Sequence, residues 1–374
     1  MNWEILAQTS QAEIRRSGRF LVVDLQTPHR AITTSTRNGG QSEALRHLVN
    51  HQSCEAAGHD ARFEHIHRRG EHSYHDEVCA EIGVPPDATA LMTTAANMNY
   101  AAIVSKRHGE IDVMAIVTAG VETNATCAGD PATWHETTEG FAKLAAGTIN
   151  TMLLVNVPVT IPALARTVIN VTEGKSAALA RLAVPSCYSA DLATGTGTDQ
   201  YCVAAPIDGA RPLTSASPHM KFGEIIGLAV REATLEALRW QNGLEPSMTR
   251  AFFRTLGRFG ITETVLFDGL AEHLDAADLE LLRRNSKAAF HEPLVGAAAH
   301  ALAAVLDRAR HGTLPQGCVR DAVIQQAAML AANLAAKPDH WPDFRRRLHA
   351  VSGEPKTLVV AAIALGWSEK WRPS

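Results

Sequence analysis

The composition of the chain changes at Gln241–Ser247, and this change constrains the fold more than any other feature. Before it, β-branched apolar runs of strand length alternate with amphipathic stretches. After it, Ala, Leu and Arg dominate and β-branched runs nearly vanish. The pattern predicts an α/β domain, a mixed sheet with flanking helices, over residues 1–243 and a smaller all-helical lobe over residues 244–374.

Within the first part, apolar runs bounded by turn residues predict strands, and apolar residues at helical spacing predict helices. Ser42 is placed to cap a helix in which Leu45, Leu48 and Val49 recur, and Gly83 is placed to stop another. The predicted strands are 19–25, 88–96, 99–106, 111–120, 148–157 and 201–206, and the predicted helices are 42–50, 74–82, 161–182 and 221–240.

Charge and cysteine usage exclude several classes of protein. A net charge of -4 gives no electrostatic footprint for nucleic acid or for an anionic membrane. The amino terminus lacks the apolar region of a signal peptide, and no apolar run reaches the ~20 residues that a spanning helix needs. Six cysteines without CxxC spacing predict reduced thiols, and we expect a cytoplasmic protein.

Five polar segments carry residue types that bind ligands or catalyse reactions. Each is placed next to the end of a predicted strand or helix, where α/β enzymes collect their binding groups, and Thr172 is placed to cap the helix that follows it. The segments are VTAGVETNATCAGD with Asn124 and Asp130, GTIN with Thr148 and Asn150, VTEGKSAAL with Glu173 and Lys175, TGTGTD with Gly195, Thr196, Gly197, Thr198 and Asp199, and SPHMKFG with His219 and Lys221.

The TGTGTD segment, residues 194–199, is the most unusual of the five. A structural turn needs one glycine and seldom two in alternation with threonine. Alternating glycines let the backbone present several N–H groups to a ligand, while the threonines supply hydroxyl groups and Asp199 supplies one charge. The segment therefore indicates part of a small-molecule site.

Seven motifs follow one another along the chain: RNGG, TAGV followed by Asn124, AGD, GTIN, TE-x-K-x-AAL, TGTGTD and H-x-K-x-G. Together, and in this order, they resemble the adenosylcobinamide amidohydrolase family. The resemblance covers about residues 19–240, and Gly174 stands where alanine is expected. It implies hydrolysis of the amide that joins aminopropanol to the corrin f side chain, which yields adenosylcobyric acid in corrinoid salvage. The corrinoid is then the substrate; no certain cofactor is implied, and the metal requirement is open.

The chemistry of amide hydrolysis suggests roles for these residues, since the reaction needs a nucleophile or activated water, an oxyanion donor and a proton for the leaving amine. Glu173 and Asp199 are acid/base candidates, and His219 is a third because of its intrinsic pKa. Lys175 can stabilise the oxyanion. The remaining candidates are Asn124 and the backbone of Gly195 and Gly197 as oxyanion donors, Thr148 and Thr198 as nucleophiles, and Asp130, Asn150, Thr196 and Lys221 as substrate-binding residues.

Structural explanations exist for the same residues. Glu173 and Lys175 can form a solvated pair, Asp199 can cap its own turn, and His219 can cap a helix. A histidine-rich stretch suggests a metal site, but its spacing matches no closed motif and a solvated loop is favoured; its members are His59, His65, His67, His72 and His75.

Two rival functions follow from the same residues. One is a corrinoid-binding carrier or regulator without hydrolysis, and the other is an amidohydrolase of another substrate that uses a threonine nucleophile. The helical lobe lies outside the family pattern. It either covers the corrin or mediates self-association into a homo-oligomer.

Overall fold

The computed structural model describes residues 1–55, 66, 69–132, 135–137, 140–142, 148–209, 211–249 and 251–372. The chain divides into two compact units, Met1–Leu244 and Glu245–Ser374. The first contains strands and helices and the second contains helices, so the predicted fold class is confirmed.

The first unit is built on two sheets. One has five strands in the order β1-β2-β3-β6-β7, and the other has six in the order β5-β4-β15-β13-β9-β8. Two further pairs, β10-β14 and β11-β12, lie outside these sheets. The strands are β1 Glu4–Gln8, β2 Ala12–Ser17, β3 Phe20–Leu25, β4 His29–Thr33, β5 Gly40–Ser42, β6 His47–Gln52, β7 Thr89–Thr94, β8 Ala102–His108, β9 Ile111–Ala119, β10 Ala125–Thr126, β11 His135–Thr137, β12 Gly140–Ala142, β13 Ile149–Val155, β14 Gly195–Thr196 and β15 Gln200–Pro206.

Three long helices cover the outer faces of the sheets: α1 Glu71–Ile82, α2 Ile161–Arg181 and α3 Lys221–Asn242. Strand β3 shows how the layers form, because successive side chains of a strand point to opposite faces. Leu21 and Val23 lie in the core between the sheets. Phe20 and Val22 pack beneath α1, whereas α2 and α3 pack on the outer face of the six-stranded sheet. The layers are therefore helix, sheet, sheet, helix.

Strands β13 and β15 run parallel, with Asn150 opposite Gln200, and α2 lies in the connection between them. A parallel pair requires such a crossover, which returns the chain to the edge where β13 began. Gly174 permits α2 to approach α3 closely, because a Cβ there would lie 3.0 Å from the Gly227 carbonyl oxygen. This explains the glycine at the position where the family pattern leads one to expect alanine.

The predicted helix over residues 42–50 is wrong. Residues 40–42 and 47–52 form β5 and β6, and β6 pairs with both β3 and β7. Leu45 and Leu48 enter the core between the sheets, whereas Val49 enters the core beneath α1. The two leucines therefore point to one face of the sheet and Val49 points to the other, whereas a helix would have placed all three on one face. Pairing with two neighbouring strands overrides the local pattern.

The other predicted elements of the first unit are confirmed to within a few residues. The six predicted strands correspond to β3, β7, β8, β9, β13 and β15. The helix that was predicted to stop at Gly83 does end there, with φ of 71° at the glycine. The two long helices begin at Ile161 and Lys221, as their spacing predicts.

The second unit is helical over its described residues and has its own apolar core around Phe252, Phe290 and Trp367. Side chains of Thr262, Asp275 and Glu292 cap three of its helices. In the parts of the chain that the structure describes, no helix has the length and apolar character to cross a membrane. The helices are α4 Pro246–Thr249, α5 Phe252–Leu256, α6 Glu263–Leu270, α7 Ala276–Arg284, α8 Ser286–Phe290, α9 Pro293–Arg310, α10 Gln316–Leu334, α11 Trp341–His349 and α12 Pro355–Lys370.

Candidate active site

The candidate site lies at the amino ends of β13 and β15. Thr148 directly precedes β13, and Asp199 directly precedes β15. Because the two strands are parallel neighbours, their amino ends lie at one edge of the sheet. Helix α2 runs back to the same edge, where the Ser176 hydroxyl donates a hydrogen bond of 2.7 Å to the Thr194 carbonyl oxygen. The topology thus brings the GTIN, TEGK and TGTGTD segments together.

Asp199 and Lys175 form the central ion pair of this edge. The Lys175 Nζ atom donates to Asp199 Oδ2, and the two side chains are only 12% and 18% exposed. The Thr196 amide also donates to Oδ2, at 3.0 Å, while Asp199 Oδ1 accepts from the Ile149 amide, at 3.0 Å, and from the Thr196 hydroxyl. The carboxylate is thus bound by groups from α2, β13 and its own loop.

The two glycines of TGTGTD lie where other groups approach the backbone closely, and neither has an unusual φ angle. A Cβ atom at Gly195 would lie 2.6 Å from Lys175 Nζ, and it would also overlap the Asp199 carboxylate. A Cβ at Gly197 would lie 3.2 Å from Asn124 Oδ1. Gly195 therefore leaves the space that the ion pair occupies, and Gly197 lets the loop pass over Asn124.

Asn124 reaches the same loop through the short β10-β14 pair, in which Ala125 lies opposite Thr196. Its side chain is buried, and the Tyr188 hydroxyl donates a hydrogen bond of 2.8 Å to its Oδ1 atom. Sequence reasoning did not select Tyr188. It lies in a segment without a strand or helix pattern, so no local signal identified it.

Asp130 organises the neighbouring loop. Its Oδ2 atom accepts hydrogen bonds from the Cys127 amide at 2.7 Å, the Ser186 hydroxyl at 2.6 Å and the Thr126 hydroxyl at 3.2 Å. Burial acts to raise the pKa of Asp130, but the hydrogen bonds, with those from Ser186 and Ser189 the largest, lower it overall. These contacts show that the Asp130 carboxylate stabilises the conformation of its loop.

Beneath the loop, a buried amide network runs between the two sheets. Asn150 Nδ2 donates to Asn50 Oδ1 at 2.8 Å and to the Thr93 carbonyl oxygen at 3.0 Å. Asn50 Nδ2 donates in turn to the Thr118 hydroxyl at 2.8 Å. Sequence reasoning selected Asn150 but missed Asn50, because Asn50 belongs to the segment that was predicted as a helix.

The Thr148 side chain joins this network to the TGTGTD loop. Its hydroxyl is buried and lies within hydrogen-bonding distance of two acceptors, the Thr198 carbonyl oxygen and Asn150 Oδ1, the latter at 3.3 Å. Thr198 itself is exposed. The first of the two candidate nucleophiles is therefore held inside the site, and the second lies on its surface.

The structure does not bring Glu173 to the ion pair. The prediction that Thr172 caps a helix is wrong, because α2 begins at Ile161 and the Thr172 hydroxyl donates to the Val168 carbonyl oxygen inside it. Glu173 and Lys175 are two residues apart in this helix, about 200° around its axis. Lys175 consequently faces the loop while Glu173 is exposed.

His219 and Lys221 also lie apart from the ion pair. They stand at the start of α3, which follows the carboxyl end of β15, whereas Asp199 precedes the amino end of that strand. Both residues are exposed, and Lys221 Nζ donates to Glu224 at 2.7 Å. The structure thus gathers four of the five predicted segments and leaves SPHMKFG at the other end of β15.

The RNGG segment has a structural role. Arg37 pairs with Asp76 of α1 and with Asp87, at 2.5 Å from the latter. Asn38 adopts a φ of 59°, and its side-chain amide donates to the carbonyl oxygens of Pro86 and Thr89, both at 2.8 Å. These contacts fix the turn before β5 against the start of β7.

Only part of the histidine-rich stretch can be compared with the prediction, since His59, His65 and His67 lie outside the described residues. His75 is buried, its Nε2 atom lies 3.2 Å from the Pro86 carbonyl oxygen, and burial lowers its pKa. Among the described residues, no group of three or more His, Cys, Asp or Glu side chains is placed to hold a metal ion.

The fold and the candidate site together define an α/β protein in which loop and strand-end residues surround one shielded lysine–carboxylate pair. Residues 5–246 match the family described as adenosylcobinamide amidohydrolase, and the chain belongs to this family. Family membership supports amidohydrolase activity and confirms the resemblance seen in the motifs.

Individual proteins similar to this chain include one sequence relative and two solved structures. An uncharacterized protein of Methanocaldococcus jannaschii is 33% identical over 183 residues, which cover 46% of this chain and 71% of that protein. The first structure is that of a Pyrococcus horikoshii protein. The match covers 63% of this chain and 82% of the Pyrococcus chain, with 14% sequence identity and a TM-score of 0.30.

The second structure is the L-aminopeptidase D-Ala-esterase/amidase of Ochrobactrum anthropi, described as a variant of the Ntn hydrolase fold. The match covers 63% of this chain and 81% of the Ochrobactrum chain, with 12% sequence identity and a TM-score of 0.27. Both TM-scores are low, so the assignment depends on the family match.

Proposed function

We propose that the first unit hydrolyses the amide between aminopropanol and the corrin f side chain of adenosylcobinamide, giving adenosylcobyric acid. The observation that carries the proposal is the shielded Lys175–Asp199 pair, which lies where four of the five predicted polar segments meet, within the part of the chain that matches the family. Hydroxyl and amide groups around an ion pair that adds no net charge suit a reacting group that is itself an uncharged amide.

The chemistry requires water to add to the amide carbon, the carbon–nitrogen bond to break, and the amine to leave with a proton. Negative charge develops on the carbonyl oxygen as water adds. A preorganised cation in a shielded site stabilises that charge strongly. In the proposal Lys175 fills this role, and the Asn124 side-chain amide and the backbone around Gly197 line the same loop as further donors.

The direct test is incubation of the purified protein with adenosylcobinamide, with aminopropanol and adenosylcobyric acid measured by liquid chromatography and mass spectrometry. We expect equal amounts of both products and a drop in kcat of at least about 100-fold in Lys175→Met. The matched control is Lys106→Met, which removes a lysine of β8 that pairs with Glu232 of α3, away from the site. Binding of the corrinoid without products would favour a carrier or regulator instead.

One observation favours a second candidate, an amidohydrolase with a threonine nucleophile. Thr148 directly precedes the central strand β13, its hydroxyl is buried in the site, and a glycine precedes it in the sequence. In enzymes that free such a residue by self-cleavage, the new α-amine activates the hydroxyl. Denaturing mass spectrometry separates the two candidates, because this one predicts two fragments divided after Gly147 and the first predicts an intact chain.

A further inference from the structure

The carboxylate of Asp199 already has a full set of hydrogen bonds. Within the described part of the chain, four donors reach its two oxygens: Lys175 Nζ, the Ile149 amide, and the Thr196 amide and hydroxyl. A carboxylate has about four lone-pair sites, so each is occupied. To take a proton from water, Asp199 would have to release one of these donors.

Lys175 is in the opposite situation. An ammonium group carries three N–H donors, and among the described residues one of these donors bonds to Asp199. The side chain is only 12% exposed, and the backbone of Gly195 lies directly against it. A charge in such surroundings requires an opposite charge to offset its desolvation, and Asp199 supplies it.

From this arrangement we infer that Asp199 is a positioning residue that acts through Lys175 and does not exchange protons with the substrate or with water. Asp199 fixes the ammonium group beside the backbone of Gly195, so that its remaining N–H donors face the carbonyl oxygen of the scissile amide. The inference rests on the proposed function, because it assumes that the reaction is hydrolysis of the adenosylcobinamide amide. It assigns Lys175 as the catalytic group and replaces the acid/base role that the sequence suggested for Asp199.

A double-mutant cycle tests the inference, with Asp199→Asn, Lys175→Met and the combined variant assayed on adenosylcobinamide. If Asp199 acts through Lys175, each single change lowers kcat at least about 100-fold with KM changed less than about 3-fold. The kcat of the combined variant is then within about 3-fold of the kcat of the less active single variant. A combined variant more than about 10-fold below both singles would overturn the inference, because Asp199 would then have a catalytic role of its own.

The matched control for the carboxylate is Asp24→Asn, which removes a carboxylate that pairs with Arg15 and His47 on another sheet and should leave kcat unchanged. Far-UV circular dichroism and thermal unfolding report folding of every variant. If Asp199→Asn does not fold, Lys175→Met still decides the matter. It keeps the carboxylate, so a drop in kcat of less than about 10-fold would contradict the inference.

A second readout does not depend on activity. Brief treatment with an amine-acetylating reagent, followed by peptide mass spectrometry, measures how accessible each lysine is. We expect acetylation of Lys175 to rise at least about 5-fold in Asp199→Asn relative to Lys221, which is exposed in the folded chain and serves as internal reference. Equal acetylation in the two proteins would overturn the inference. If the wild type does not hydrolyse adenosylcobinamide, the proposed function fails while this readout still tests the pair.

Discussion

Asn150 donates a hydrogen bond of 2.8 Å to Asn50, which lies 100 residues earlier, and this bond joins the two sheets of the first unit. Asn50 belongs to β6 of the five-stranded sheet and Asn150 to β13 of the six-stranded sheet. Both side chains are buried. The polar contact sits at the edge where the candidate site is built, so the site depends on how the two sheets meet.

Asn50→Ala is expected to destabilise the protein by about 2–6 kcal/mol. The change leaves an oxygen of Thr118 and one N–H of Asn150 without their partner, and each unsatisfied buried group costs about 1–3 kcal/mol. Urea unfolding gives the difference. Asn156→Ala is the comparison, because this asparagine bonds the backbone at Asp112 and Glu110 but is exposed, and a loss in Asn50→Ala no larger than in Asn156→Ala would contradict the argument.

Gly195→Ala is expected to disrupt the ion pair between Lys175 and Asp199. Its Cβ would overlap both charged groups, so we predict a fall in kcat/KM of at least about 10-fold and a loss of about 1–3 kcal/mol in the free energy of unfolding. Enzyme kinetics and thermal unfolding measure the two effects.

The paired substitution is Gly227→Ala in α3, where a Cβ would meet nothing within 4 Å. Because alanine is the better helix former, it should stabilise the protein by about 0.5–1 kcal/mol. Unchanged kinetics in Gly195→Ala would show that the loop yields easily and that close approach does not explain the glycine.

Asp24 should contribute stability that is lost in acid. Burial acts to raise its pKa, but hydrogen bonds from His47 and Arg15 and the charges of both residues lower it overall. A pKa lower in the folded than in the unfolded state means that the contribution is complete above about pH 4, the unfolded value, and falls as the pH drops through the folded value.

Asp24→Asn should therefore lower the free energy of unfolding by about 1–3 kcal/mol near neutral pH. The difference from the wild type should shrink steadily as the pH falls below about 4. Denaturant unfolding at a series of pH values measures it. A difference that stays constant over this range would refute the assignment.

Cys202 should be inert in the folded protein. It is buried in the core between the sheets, and burial raises its pKa to about 12 despite an opposing hydrogen bond with Thr33. Only a thiolate reacts readily with thiol reagents, so native Cys202 should show less than about 10% of the labelling seen after unfolding. Cys187 and Cys318 are exposed and serve as reactive references in peptide mass spectrometry. Rapid labelling of Cys202 would show that the sheets separate.

The sequence predicted the loop of the site more fully than its surroundings. Glycines that alternate with threonines before Asp199 signalled a ligand loop, and the structure adds that Gly195 also makes room for Lys175. Sequence spacing linked Lys175 with Glu173, yet residues two apart on a helix face different directions, so the lysine contacts Asp199 instead. A pattern of spacing shows which residues share an element and not which residues face each other.

The amino-acid sequence by itself determined six strands and three long helices of the first unit, the helical character of the second and the family, because apolar periodicity and short motifs are local properties. The tertiary structure alone decided that residues 42–50 include a strand, that Asn50 joins the site and that His219 does not. Strand pairing and the crossover between parallel strands bring together residues far apart in the chain. Their energies depend on partners that no local stretch specifies.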